Sequence, residues 1–115
     1  MLDIVKKIDT IDIHQLIEAM EMEDMDDDEV YEELREFSAY YGQNTYVTIG
    51  DDTLADKDLC EQAAEYLGDS VEYLSDEDIL NHSTPETNRQ KVKYRLLQMM
   101  VNGDIPKEFM LLIWW

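Results

Sequence analysis

Asp24, Asp26 and Asp28 alternate along the chain as the first ligands of a calcium-binding loop do. Such a loop also needs glycine at its sixth position, for a sharp turn, and a bidentate glutamate at its twelfth. Glu29 and Arg35 occupy those positions, so a specific EF-hand site is rejected and no metal centre is expected. His14 and His82 each lack a second ligand at metal spacing. The single cysteine, Cys60, excludes an internal disulfide and a cysteine-based zinc site, and its apolar neighbours make it a small core hydrophobe. Four glycines form no phosphate-cradling loop. With 28 acids, almost any carboxylate pair could meet in space, so acid–base catalysis acquires no specific signature. The chain reads as a non-enzyme without a cofactor.

Charge remains as the chemistry to explain. The 115 residues carry 28 Asp and Glu against 9 Lys and Arg, a formal charge of −19, and self-repulsion of that size opposes folding. The charge is also confined. Residues 1–80 hold 25 acids and 4 bases, net −21, whereas residues 81–115 hold 3 acids and 5 bases, net +2. The densest part is Glu18 to Glu36, and a second concentration runs from Asp51 to Asp78. Were the first stretch helical throughout, it would span about 28 Å. That is one negative charge per roughly 2.6 Å of axis, against about 1.7 Å in duplex DNA. Carboxylates at such density can replace phosphates in a basic groove. The expected contact set is Glu23, Asp24, Asp26, Asp27, Asp28, Glu29, Glu32, Glu33 and Glu36, with Asp51, Asp52, Asp56, Asp58, Tyr31 and Tyr40 as a secondary set. The bases Arg89, Lys91, Lys93 and Arg95 are expected to pair with acids of the same chain, or to soften its field, and not to touch nucleic acid.

These residues must be positioned by a packed fold, because 44% of the chain is apolar, with seven Tyr, seven Met and two Trp, too much buryable surface for a disordered acidic tail. Thr10 or Asp12 is expected to cap a helix with Ile13, Leu16, Ile17 and Met20 inward. Asp26 to Glu29 reads as the cap and first turn of a second helix, with Val30, Leu34, Phe37 and Tyr41 inward and Gly42 as its stop. Tyr46 to Ile49 reads as a strand. A helix from Asp56 to Leu67, with Leu59, Ala63 and Leu67 inward, should stop at Gly68. Val71 to Leu74 reads as a second strand, and Ser75 to Asp78 as a cap opening one helical turn. Pro85 marks the start of a helix carrying Val92, Leu96 and Met99 to Asn102-Gly103. Phe109 to Trp115 reads as a buried strand beside the other two, or as one paired across a homodimer. The sum is α+β: one helix-rich domain of about four helices and a small sheet of two to four strands. No stretch reaches membrane-spanning length, and the single cysteine suits a reducing cytoplasm.

In size, charge and lack of a catalytic signature the chain resembles the DNA-mimic inhibitors of phages and mobile elements, of the anti-restriction and anti-CRISPR kind. That resemblance implies a bacterial cytoplasmic inhibitor whose partner is a basic nuclease or another nucleic-acid-binding protein, with no direct contact to nucleic acid or membrane. The segment Pro85-Glu86, Asn88-Arg89, an amphipathic helix, Asn102-Gly103 and a final apolar strand is similar to the C-terminal part of immunity proteins of nuclease colicins. It covers about thirty residues, and implies instead a cognate immunity protein or antitoxin that meets its toxin through aromatic side chains inside a charged rim.

Overall fold

The computed structural model describes residues 9–37 and 45–114, apart from the side chain of Asp51. The chain runs β1 (Thr10–Asp12), α1 (Ile13–Met20), α2 (Asp27–Arg35), β2 (Thr45–Gly50), α3 (Asp51–Leu54), α4 (Lys57–Leu67), α5 (Asp76–Asn81), α6 (Asn88–Asn102) and β3 (Glu108–Ile113). Among the described residues this is an α+β fold with six helices, four of them longer than seven residues, over a three-stranded mixed sheet.

The sheet is built on β3. It lies between β1, to which it is parallel, and β2, to which it is antiparallel. Its period-2 alternation turns Phe109, Leu111 and Ile113 into the core and leaves Met110 and Leu112 half-buried. Because β3 is paired within the chain on both sides, it is not free to pair across a dimer, which corrects that alternative. The second neighbour of β3 is also not the expected one. Val71–Tyr73 forms a 3-10 turn closed by Leu74 N–H on the Val71 carbonyl at 3.2 Å, and the sheet recruits Thr10–Asp12 instead. Val71 and Tyr73 are exposed, so nothing buries the apolar face a strand would need.

The helices fold where their caps place them. Asp12 Oδ1 accepts from the backbone N–H groups of His14 and Gln15 at the start of α1, and its other oxygen accepts from the Trp114 indole, tying α1 to the end of β3. Burial alone would raise the Asp12 pKa, but these bonds outweigh it and hold it below the usual 3.8. A depressed folded value means stability that is complete above about pH 4 and is lost as pH falls through the folded value. In urea titrations, the stability difference between wild type and Asp12→Asn should therefore be constant near neutrality and shrink as the pH falls below about 4.

Asp26 accepts from Glu29 N–H at 2.8 Å and opens α2, whose Val30 and Leu34 are buried. The helix ends at Arg35; Tyr40, Tyr41 and Gly42 lie outside the described residues. In α4 the start at Asp56 and the stop at Gly68 are as expected, Gly68 adopting φ +69°, where a Cβ would be strained. Leu67, however, is exposed. Eight residues at 100° each carry it about 80° past Leu59, and Cys60 and Ala64 fill the inward face with Leu59 and Ala63. Ser75 and Asp78 form a reciprocal capping box on α5, as do Thr87 and Gln90 on α6. Pro85 thus precedes the cap instead of sitting in the first turn. The faces of α1, α2 and α6 meet the sheet in one apolar cluster that includes Ile13, Met20, Leu34, Leu96, Phe109 and Leu111.

Candidate functional site

The acidic stretch is folded back on itself and is not a rod. α1 stops at Met20, and Glu21 takes the left-handed conformation, φ 48° and ψ 51°. The chain then turns through Met22–Asp26 into α2, which packs on α1. The two helices have 8 and 9 residues, so the assumption behind the 28 Å estimate does not hold. Arg95, reaching from α6, helps end α1: its Nε donates to the Met20 carbonyl at 2.8 Å, satisfying an orphan C-terminal acceptor with a cation favoured by the helix dipole.

A non-glycine residue in the left-handed region carries strain of about 1 kcal/mol. Glu21→Gly should therefore raise unfolding free energy by roughly 0.5–1 kcal/mol, measured by chemical denaturation. A loss of stability would mean that the Glu21 side chain contributes more than its backbone costs.

The expected contact residues divide into two groups. Six are used by the fold. Asp26 caps α2. Glu29 accepts from Asn88 Nδ2 at 3.4 Å. Glu33 is 3.6 Å from Arg89 Nε, and Glu36 accepts from Arg89 Nη2. Those contacts push the Arg89 guanidinium up, the Glu36 hydrogen bond most of all. Asp56 caps α4 through Asp58 and Leu59 N–H, and the Gln90 amide donates to both Asp56 and Asp58 at 3.3 and 3.4 Å. Gln90 is itself buried, with its carbonyl oxygen accepting from Glu86 and Thr87 N–H. Both acidic concentrations thus converge on the N-terminus of α6, where the helix dipole favours negative charge. Of the basic run, Arg89 pairs with acids of the chain as expected, whereas Arg95 donates to the Met20 carbonyl and to Gln98, and Lys91 and Lys93 form no ion pair among the described residues.

The other group is Glu23, Asp24, Asp27, Asp28 and Glu32. All five are exposed, and none of their side chains makes a hydrogen bond or ion pair among the described residues. Glu23 and Asp24 lie in the turn between α1 and α2, Asp27 and Asp28 in the first turn of α2, and Glu32 farther along that helix. Asp52 is exposed on α3; the Asp51 side chain and Tyr40 lie outside what is described. Tyr31 is half-buried. Its hydroxyl donates to the Trp114 carbonyl at 3.4 Å, and burial, the largest cause, raises its pKa.

Two features were missed in the sequence. The first is a groove of about 610 Å³ between α1 and the start of α2. Ile17, Met22, His14 and Tyr31 line it, and Glu18, Glu21, Asp27 and Asp28 stand with them. The His14 and Tyr31 rings are stacked with centroids 5.8 Å apart at 16°. Trp114 meets the His14 ring edge-on at 4.6 Å, and His14 Nε2 lies 3.1 Å from the Trp114 carbonyl. The second is a run of exposed apolar side chains around the end of α4: Tyr66 at 72%, Leu67, Val71, and Tyr73 at 77%. Tyr66 stacks on His82 at 4.3 Å. Exposed acids Glu65, Asp69 and Glu72 are interleaved with them.

For catalysis the arrangement offers little. Cys60 is buried, and burial first, then the carboxylates Asp56, Asp76 and Glu61, pushes its thiol up, away from the thiolate a nucleophile needs. Among the described residues no three His, Cys, Asp or Glu side chains converge as metal ligands, and no helix is long and apolar enough to cross a membrane. No protein-family model, curated protein or solved structure matches the chain.

Proposed function

We propose that this protein is an acidic inhibitor that occupies the basic nucleic-acid-binding surface of a partner protein, its carboxylates taking the place of phosphates. The observation that carries the reading is the division of the acidic stretch. Arg89, Asn88 and the N-terminus of α2 engage Asp26, Glu29, Glu33 and Glu36, whereas Glu23, Asp24, Asp27, Asp28 and Glu32 are exposed and their side chains pair with no cation among the described residues. Like charges held side by side repel and cost stability. A basic partner removes that cost on binding and gains electrostatic steering and counterion release. The inhibitor then presents charge on a bent, two-helix corner, a shape for a groove or cleft and not for a long straight channel.

A cognate immunity protein or antitoxin is the second reading, favoured by Tyr66 and Tyr73 exposed among carboxylates. Interface hot spots are enriched in tyrosine and surrounded by a polar rim. The two readings separate by competition and by truncation. Bound to its partner, a mimic is displaced by duplex DNA and tolerates Tyr66→Ala and Tyr73→Ala. A cognate inhibitor held by an aromatic hot spot loses about 2 kcal/mol or more on one such truncation. Calorimetric titration of each variant, with and without duplex DNA, distinguishes them.

A further inference from the structure

The groove between α1 and α2 has a composition that selects its occupant. One wall is aromatic and aliphatic, with the stacked His14 and Tyr31 rings beside Ile17 and Met22. The remaining lining side chains are Glu18, Glu21, Asp27 and Asp28, and among the described residues no lysine or arginine lines the groove. Anions are repelled by that lining, and an uncharged ligand can donate hydrogen bonds to the four carboxylates but gains no Coulombic attraction from them. A bare divalent ion finds no set of converging ligands among the described residues. What fits is a cation with a flat face and an apolar stem. A guanidinium can lie against the face of a tyrosine ring, donate to carboxylates in pairs, and leave its methylene stem against aliphatic side chains. An ammonium makes a point contact without the planar stacking. Trp114, edge-on to His14, and the bond of Tyr31 to the Trp114 carbonyl brace the aromatic wall against the end of β3, so the site is anchored in the sheet.

We infer that this groove receives an arginine side chain of the partner, Tyr31 supplying the ring face and Glu18, Glu21, Asp27 and Asp28 the acceptors. The inference rests on the reading of the protein as a binder of basic surfaces. It adds Glu18 and Glu21 to the contact set and gives Tyr31 a defined role.

The test titrates the full-length protein with the capped peptide Ac-Gly-Arg-Gly-NH2, following the ring protons of His14 and Tyr31 by NMR. Saturable shifts at those two rings are expected, weakened about fivefold in the double variant Glu18→Gln, Asp28→Asn. The glutamine peptide, Ac-Gly-Gln-Gly-NH2, should give none, and Ac-Gly-Lys-Gly-NH2 should bind more weakly. Glu18 and Asp28 are exposed, so the double variant keeps the core intact, and its spectrum away from the groove reports that directly. Tyr31→Phe keeps the ring face and should retain most of the affinity. Linear shifts spread over all the acidic surface, equal binding of the lysine peptide, or unchanged affinity in the double variant would each overturn the assignment. If partner retention is salt-dependent and competed by DNA while the peptide fails, only the groove assignment falls. If the peptide binds as described and no basic partner is retained, the groove stands and the inhibitor reading falls.

Discussion

Phe109→Ala should lower unfolding free energy by about 3–5 kcal/mol, a large part of the roughly 5–15 kcal/mol that holds a domain of this size together. Phe109 is fully buried on the central strand β3, opposite Ile49 in the β2 register. Truncation therefore leaves a cavity where the sheet meets the helices, with neighbours fixed by strand pairing and unable to collapse into it. The melting temperature should fall by about 10–20 °C in a circular-dichroism melt. Leu112→Ala is the control on the same strand. Its side chain points to the opposite face and is half-buried, so the loss should be about 1–2 kcal/mol. If Leu112→Ala proved the more damaging, the strand would be placed with the wrong face inward, since a one-residue slip exchanges the faces.

Neutralising Glu23, Asp24, Asp27, Asp28 and Glu32 together, as Gln and Asn, should weaken binding to the basic partner by about 100-fold at low salt. Exposed charge pairs contribute roughly 0.2–1 kcal/mol each, and steering adds to the association rate. The dependence of affinity on salt should flatten as well, because fewer counterions are released. Stability should change little, because the lost helix-dipole interaction of Asp27 and Asp28 at the start of α2 is offset by reduced self-repulsion. The companion variant neutralises Glu29, Glu33 and Glu36. It deprives Arg89 of both its partners and should reduce stability, by about 1 kcal/mol, with a smaller loss of affinity. Surface plasmon resonance over a salt series, paired with chemical denaturation, reads both effects. The opposite assignment, with affinity lost on the second set and kept on the first, would place the contact face at α6.

Much of this fold was legible because the deciding signals are local. Asp12 and Asp26 as caps, Gly68 and Gly103 as left-handed stops, and the stripe Val92, Leu96 and Met99 all act within a few residues. What could not be read depended on distant partners. Thr10–Asp12 is a strand only because β3, about a hundred residues later, lies beside it. Val71 to Leu74 has strand composition but no sheet neighbour, and closes into a 3-10 turn. The acidic stretch told which residue types would face a partner but not which acids the fold itself would use. That division depends on Arg89, Asn88 and Gln90, which α6 brings back from the other end of the sequence. The groove was hidden for the same reason. Its walls lie on two helices whose relative placement is set by the left-handed Glu21 and by Arg95, and Tyr31, in the secondary contact set on the sequence alone, is half-buried with its hydroxyl on the Trp114 carbonyl.

The most direct test of the inhibitor reading is retention from a bacterial lysate on the immobilised protein at low salt, followed by elution with duplex DNA and, separately, with a salt gradient. The account predicts that nucleic-acid-binding proteins are retained, that both duplex DNA and salt release them, and that the variant neutralised at Glu23, Asp24, Asp27, Asp28 and Glu32 retains almost none. Retention that duplex DNA leaves intact, or that the neutralised variant reproduces in full, would contradict it.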